Sequence, residues 1–141
     1  MIRLANKFDK QDIIRILKDF AINSNNPMTS DPLMWSKTYI EAILDTIFAG
    51  KGFILIDEEK TGCLVAVRNQ CFWLKDIYQL QEVMLHGKSR MIMYRLIKEY
   101  VRIAQKMIQD GEINNAVMSS YKDDKLERIG LKKLEVHWSI E

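Results

Sequence analysis

The feature that most constrains this chain is an apolar, strand-like segment that runs through a short cationic loop into a long helix. The segment reads Val83-Met84-Leu85-His86-Gly87-Lys88-Ser89-Arg90, and periodicity predicts the helix from about Met91 to Gln109. The first turn of a helix has backbone N–H groups without intrahelical partners and carries a partial positive charge. The loop is therefore predicted to hold an anion, a phosphate or a carboxylate, at the start of this helix.

Length and charge limit the classes of function. The chain has 141 residues, of which 48% are hydrophobic and 28% charged, so we expect a single globular domain over residues 1–141. The formal net charge is only +2, so nucleic-acid binding through the helix face from Lys88 to Lys98 is the weaker expectation.

Cysteine and histidine usage argue against a metal site. Cys63 and Cys71 flank a short turn without the spacing of zinc ligands, and the chain has only two histidines. No run approaches the roughly 18 apolar residues of a membrane span, and residues 1–5 lack the apolar core of a signal peptide. We therefore expect a cytoplasmic protein with reduced thiols, no bound metal and no membrane partner.

Hydrophobic periodicity predicts mixed α/β (α+β) structure in the order β-α-α-β-β-β-α-β-α-β. The first five predicted elements are a strand at Ile2–Leu4, a helix that starts near Asp9, a helix that starts at Ser30-Asp31-Pro32 and stops at Gly50, and strands at Gly52–Asp57 and Cys63–Val67. The next is a strand from Cys71 to Leu85 with a bulge near Lys75-Asp76.

Beyond the long helix, the pattern predicts a strand at Ile113–Met118, a short helix at Asp123–Arg128 and a last strand at Leu131–Ile140. A crossover through the long helix should place the strand at 80–85 parallel to the strand at 116–118.

This order and these motifs resemble the GNAT superfamily of acetyl-CoA-dependent N-acetyltransferases. The resemblance covers essentially the whole chain and is most specific from Tyr78 to Leu131. In that family, a strand with an acidic residue leads into an Arg/Gln-x-x-Gly-x-Gly/Ala loop whose amides hold the acetyl-CoA pyrophosphate. The resemblance implies a mostly antiparallel central sheet flanked by helices, and transfer of an acetyl group from acetyl-CoA to an amine.

The resemblance also implies site residues. Glu82 takes the position of the general base, with an exposed, ion-paired strand glutamate as the alternative. Leu126 and Ser119 stand where the family has its general-acid Tyr and its Asn, which leaves Tyr121 as the nearest proton donor. His86 is a further candidate base. The implied cofactor-binding residues are Val83, Leu85, Gly87, Lys88, Ser89, Arg90 and Met91.

In the implied cofactor loop, Ser89 and Met91 replace family glycines. The alternative is therefore an ordinary strand-to-helix turn with solvated cations.

A narrower resemblance is to small GNAT-like proteins of tailed bacteriophages, including an internal virion protein of short-tailed phages. It rests on the Gly87–Arg90 loop, Leu96-Ile97-Lys98-Glu99-Tyr100, the Cys71-Phe72 pair and Ile129-Gly130. It implies a phage-encoded protein that acts in the host cytoplasm or in the virion. The alternative function is a catalytically inactive GNAT scaffold that binds other phage or host proteins. A homodimer is implied by analogy with the family alone.

Overall fold

The structure, a computed structural model, describes residues 1–23, 35–119, 126–134 and 140. Its helices and strands are β1 (Ile2–Leu4), α1 (Lys10–Asn23), α2 (Lys37–Thr46), β2 (Gly52–Asp57), β3 (Gly62–Gln70), β4 (Tyr78–Gly87), α3 (Arg90–Gln109) and β5 (Asn115–Val117). The strands form one sheet in the order β1-β2-β3-β4-β5, in which only the β4–β5 pair is parallel. The predicted fold class, a mostly antiparallel sheet flanked by helices, is confirmed.

Helices cover the two faces of the sheet. Ile54 packs in a cluster with side chains of α1 and α2, whereas its neighbour Leu55 packs in a second cluster with Leu96 and Tyr100 of α3. Successive side chains of a strand point to opposite faces of the sheet. Helices cover both faces of β2, so the consecutive side chains that enter the two cores are all apolar. This explains why β2 reads as an unbroken apolar run.

A β-bulge in β4 changes the face of the sheet to which its side chains point. Val65 lies opposite Met84 while Ala66 lies opposite Glu82, so Val83 is an extra residue on β4. Glu82 therefore shares the α3 face with Ala66, whereas Met84 joins the core under α1 and α2.

The strand predicted from Cys71 to Leu85 is confirmed only from Tyr78 onwards, and the bulge predicted near Lys75-Asp76 is wrong. β3 extends to Gln70, and residues 71–77 form the loop that connects it to β4. Phe72 and Trp73 are 88% and 84% exposed and pack edge to face on each other, with ring centroids 4.8 Å apart. An apolar run without alternation does not distinguish a strand from a loop, and here no core receives these rings.

The first helix starts as predicted, because α1 begins at Lys10, directly after Asp9. A 3-10 turn at Lys7–Asp9 precedes it, with Asn6 as its N-cap: the Asn6 side chain accepts the N–H of Phe8, and the Asp9 carboxylate accepts the N–H of Asn6 in return. The Ser30-Asp31-Pro32 signal lies outside the described residues, and α2 itself begins at Lys37 with Ser36 as its N-cap. After α2, a π-helical turn covers Ile47–Lys51, and the helical backbone is broken at Gly50, where a stop was predicted; φ there is +118°, at which a side chain would be strained.

The C-terminal part agrees with the prediction only partly. The strand predicted from Ile113 is shorter, and of the predicted short helix a 3-10 turn at Leu126–Ile129 is described. Residues 131–134 are not in a strand, and residues 120–125 and 135–139 lie outside the described part. In the described part of the chain, no helix is both long enough and apolar enough to cross a membrane.

Candidate functional site

The candidate site starts where β4 and β5 separate. The two strands pair only from Gln79–Asn115 to Gln81–Val117, while β4 continues to Gly87. Among the described residues, no strand pairs with this edge of β4 beyond Gln81, so alternate backbone N–H and C=O groups face a gap. The gap follows β4 past Val83 and Leu85 to the N-terminus of α3.

Glu82 lies at the beginning of this gap and is only 7% exposed. Its Oε2 accepts the backbone N–H of Ser119 at 3.2 Å. Burial raises the pKa of the Glu82 carboxyl, and the bond from Ser119 acts in the opposite direction. Glu82 is thus not the exposed, ion-paired glutamate of the alternative interpretation. A carboxylate with a raised pKa is a better base near neutral pH than an ordinary one.

Of the two carboxylate oxygens of Glu82, Oε2 alone has a hydrogen-bond partner among the described residues. The described residues provide no cation that pairs with this carboxylate, so its charge is not neutralised by them.

Tyr100 of α3 lies beside Glu82. Its hydroxyl donates to the carbonyl oxygen of Val117 at 2.6 Å and lies 3.4 Å from that of Leu80. Burial, and then the charge of Glu82, raise the pKa of the phenol, so it stays a hydrogen-bond donor. Helical periodicity identified Tyr100 only as part of the apolar inner face. The signal for more was its hydroxyl, which needs a partner when buried.

The loop between β4 and α3 places cations at the other end of the gap. Ser89 is the N-cap of α3, and its hydroxyl accepts the N–H of Ile92 at 3.2 Å. Lys88 and Arg90 are both exposed beside this cap. A helix N-terminus with two cations fits a diphosphate, although the Ile92 amide is already used within the helix.

Gly87 is required by packing. A Cβ at Gly87 would lie 3.0 Å from the Met93 side chain and 3.2 Å from that of Ile92. The glycine thus lets the first turns of α3 sit closely on the end of β4. Its presence is explained without a ligand.

The remaining predicted residues fall elsewhere. His86 packs against Phe20 of α1, 6.1 Å between ring centroids, on the face of the sheet opposite Glu82. Cys63, across the sheet from His86, is fully buried, and burial together with the charge of Asp57 raises the pKa of its thiol to about 12. Tyr121 lies outside the described residues. Within the described ranges, no three His, Cys, Asp or Glu side chains are grouped to hold a metal ion.

The same fold occurs in solved acetyltransferase structures. An acetyltransferase from Trypanosoma brucei has a TM-score of 0.68 and 11% identity, covering 100% of this chain and 98% of that one. Glucosamine-6-phosphate N-acetyltransferase from Arabidopsis thaliana has a TM-score of 0.65 and 10% identity, with 100% and 98% covered. An aminoglycoside acetyltransferase from an uncultured soil sample has a TM-score of 0.64 and 13% identity, with 100% and 97% covered.

Neither protein-family models nor curated protein sequences match this chain. The structural matches establish that the chain has the fold of the GNAT acetyltransferases. At identities this low they establish the fold alone.

Proposed function

We propose that this protein is an N-acetyltransferase that transfers an acetyl group from acetyl-CoA to an amine. The observation that carries the proposal is the position of Glu82. Its buried carboxylate lies where β4 and β5 separate, at the beginning of the gap that leads to the cationic start of α3.

In the proposed reaction, the amine nitrogen attacks the thioester carbonyl, a C–N bond forms and the C–S bond breaks. Glu82 takes the proton that the amine loses, either directly or through a water molecule. The thiolate of coenzyme A leaves and takes up a proton. Tyr121 is the candidate donor of that proton on sequence grounds.

Acetyl-CoA is proposed to lie along the unpaired edge of β4. The backbone of Val83 and Leu85 borders the gap, and the loop Gly87–Met91 receives the pyrophosphate. The Ile92 N–H is not free to bind the pyrophosphate, because it donates to the Ser89 hydroxyl. Lys88 and Arg90 provide positive charge in its place.

The test is acetyl-CoA binding by calorimetry to the wild type and to Lys88→Glu/Arg90→Glu. We expect a micromolar Kd for the wild type, weakened about tenfold or more by the charge reversal. The matched control is Lys51→Glu/Lys75→Glu, which changes the net charge equally at the opposite end of the sheet and should leave the Kd unchanged. No binding at millimolar acetyl-CoA, or equal weakening in both variants, would contradict the proposed site.

A second candidate function is a GNAT-fold scaffold without activity that binds another protein, as the phage resemblance suggests. The loop at 71–77 favours it, because the rings of Phe72 and Trp73 and the side chain of Leu74 are all exposed. Exposed aromatic clusters are typical of interaction sites. Under this hypothesis, acetyl-CoA does not bind, and Phe72→Ser/Trp73→Ser abolishes co-purification of a phage or host protein from infected cells.

A further inference from the structure

The β4–β5 ladder stops at Gln81 and Val117, one residue before Glu82. If the ladder continued in this register, Glu82 would lie opposite Met118. In parallel pairing, the Glu82 N–H donates to the carbonyl of Val117 as part of the last pair, Gln81–Val117, and the next bond would run from the Ser119 N–H to the carbonyl of Glu82. The Val117 carbonyl and the Ser119 N–H are therefore the groups at which the ladder ends.

Side chains occupy both of these groups. The carbonyl oxygen of Val117 accepts the Tyr100 hydroxyl at 2.6 Å, and the N–H of Ser119 donates to the Glu82 carboxylate at 3.2 Å. The Tyr100 hydroxyl therefore fixes the end of β5 at Val117, two residues before the Ser119 N–H that meets Glu82.

Tyr100 is held rigidly enough for this role. Its side chain is 1% exposed and packs among Leu80, Leu96 and Ala104, and its ring lies 6.3 Å from that of Phe53. A ring fixed in the core places its hydroxyl at one point between the strands.

We propose that Tyr100 is a positioning residue: its hydroxyl holds the end of β5 at Val117, so that the Ser119 N–H donates to the Glu82 carboxylate and not to the Glu82 backbone, and β4 and β5 separate there. The structural part of this role stands on the bonds above, while its effect on catalysis rests on the proposed function. Glu82 is faced by Tyr100 from α3, by Ala66 from β3 and by the Ser119 amide from the β5 side. Tyr100 is the titratable side chain among these neighbours.

The test is Tyr100→Phe, which keeps the ring and removes the hydroxyl, with the exposed Tyr39→Phe as the matched control. Amide hydrogen exchange is measured at Glu82 and Ser119, and at Leu55 and Leu64 as reporters of global opening. We expect exchange at Glu82 and Ser119 to accelerate about tenfold more than at the two reporters, the usual effect of losing one buried hydrogen bond.

The same variant should shift catalysis. Without the Tyr100 hydroxyl, the end of β5 is no longer held and Glu82 loses the hydrogen bond from Ser119. That bond lowers the pKa of Glu82, so its loss should move the acid limb of the kcat/KM profile to higher pH. Unchanged exchange and an unchanged acid limb relative to Tyr39→Phe would overturn the proposal. If the wild type shows no acetyl transfer, the proposed function fails, but the exchange measurement still decides the role of Tyr100.

A second pair of variants covers the case in which Tyr100→Phe does not fold. Glu82→Ala removes the acceptor of the Ser119 N–H, whereas Glu82→Gln keeps an oxygen there. Exchange at Ser119 should be about tenfold faster in Glu82→Ala than in Glu82→Gln. Equal exchange in these two variants would overturn the proposed arrangement.

Discussion

Asp9 and Glu82 are both buried carboxylates, 3% and 7% exposed, yet their pKa values shift in opposite directions. Asp9 accepts two bonds from the Arg3 guanidinium, each 2.8 Å long, and one from the N–H of Asn6 at 2.9 Å. The bonds from Arg3 are the main reason why the pKa of Asp9 falls to about 2. Glu82 has one backbone N–H as its described partner, and burial raises its pKa.

The difference separates a structural carboxylate from one that can act in chemistry. Both oxygens of Asp9 are occupied by a cation that stabilises the charged form, so the group stays ionised and cannot take a proton near neutral pH. Glu82 has no cationic partner among the described residues, and burial destabilises its charge, which suits a general base. Burial alone does not distinguish the two; their partners do.

The largest expected effect is that of Glu82→Gln. It should lower kcat by about 10²–10⁴-fold, because the base is lost, and leave the acetyl-CoA Kd nearly unchanged, because Gln still accepts the Ser119 N–H. Steady-state kinetics and calorimetry provide the two measurements. Glu59→Gln, an exposed residue of the β2–β3 turn, is the control, and activity of Glu82→Gln within a few-fold of this control would refute the role of Glu82.

The same variant tests the sign of the pKa shift. A carboxyl whose pKa is raised in the folded state contributes stability at low pH that is lost as pH rises through that pKa. The free energy of unfolding of Glu82→Gln relative to the wild type should therefore increase from acid to neutral pH. Urea unfolding at several pH values measures it, and a constant difference would contradict burial of the charge.

Arg3→Met should affect stability and spare activity. It leaves the buried Asp9 carboxylate without its bidentate partner, while Lys60 remains 3.8 Å away and Arg3 itself is partly exposed, so we expect a loss of about 2 kcal/mol. Because the pKa of Asp9 is lowered to about 2, the loss in the free energy of unfolding should have its full size above about pH 4 and become smaller as pH falls towards 2. A loss that is the same at pH 2 and pH 6 would be incompatible with this origin.

Lys60→Met should have the smallest effect. The Lys60 ammonium lies 3.1 Å from Asp12 and 3.8 Å from Asp9, but its side chain is 40% exposed, so the pairs are screened. We expect a loss of about 0.5 kcal/mol in thermal or urea unfolding, decreasing with added salt. A loss as large as that of Arg3→Met would mean that Lys60, and not Arg3, holds the charge of Asp9.

Local patterns were predicted well from the sequence. The strand Ile2–Leu4, the buried strand Gly52–Asp57 and the long helix up to Gln109 agree with the structure within a residue or so. Each depends on apolar periodicity, which is a property of neighbouring residues. The prediction of a strand directly after Cys71 failed because burial of an apolar run depends on what packs against it, which is not a property of neighbouring residues.

The partners in the candidate site were not predictable in the same way. The bulge at Val83 depends on the register between β3 and β4, and the Arg3–Asp9 pair depends on how β1 sits beside the start of α1. The resemblance to GNAT proteins pointed to Glu82 but not to its burial. The role of Tyr100 was missed because a tyrosine on an apolar helix face looks like any other core residue.

By itself, the sequence determined the strand, the cationic loop and the helix that form one wall of the gap, because these follow from periodicity, capping and charge along a short stretch of chain. Only the tertiary structure decided the protonation behaviour of Glu82 and the place where β4 and β5 separate. Those properties come from contacts between residues 37 and 17 positions apart, Glu82 with Ser119 and Tyr100 with Val117. Burial and hydrogen-bond partners at such separations exist only once the sheet and α3 have packed together.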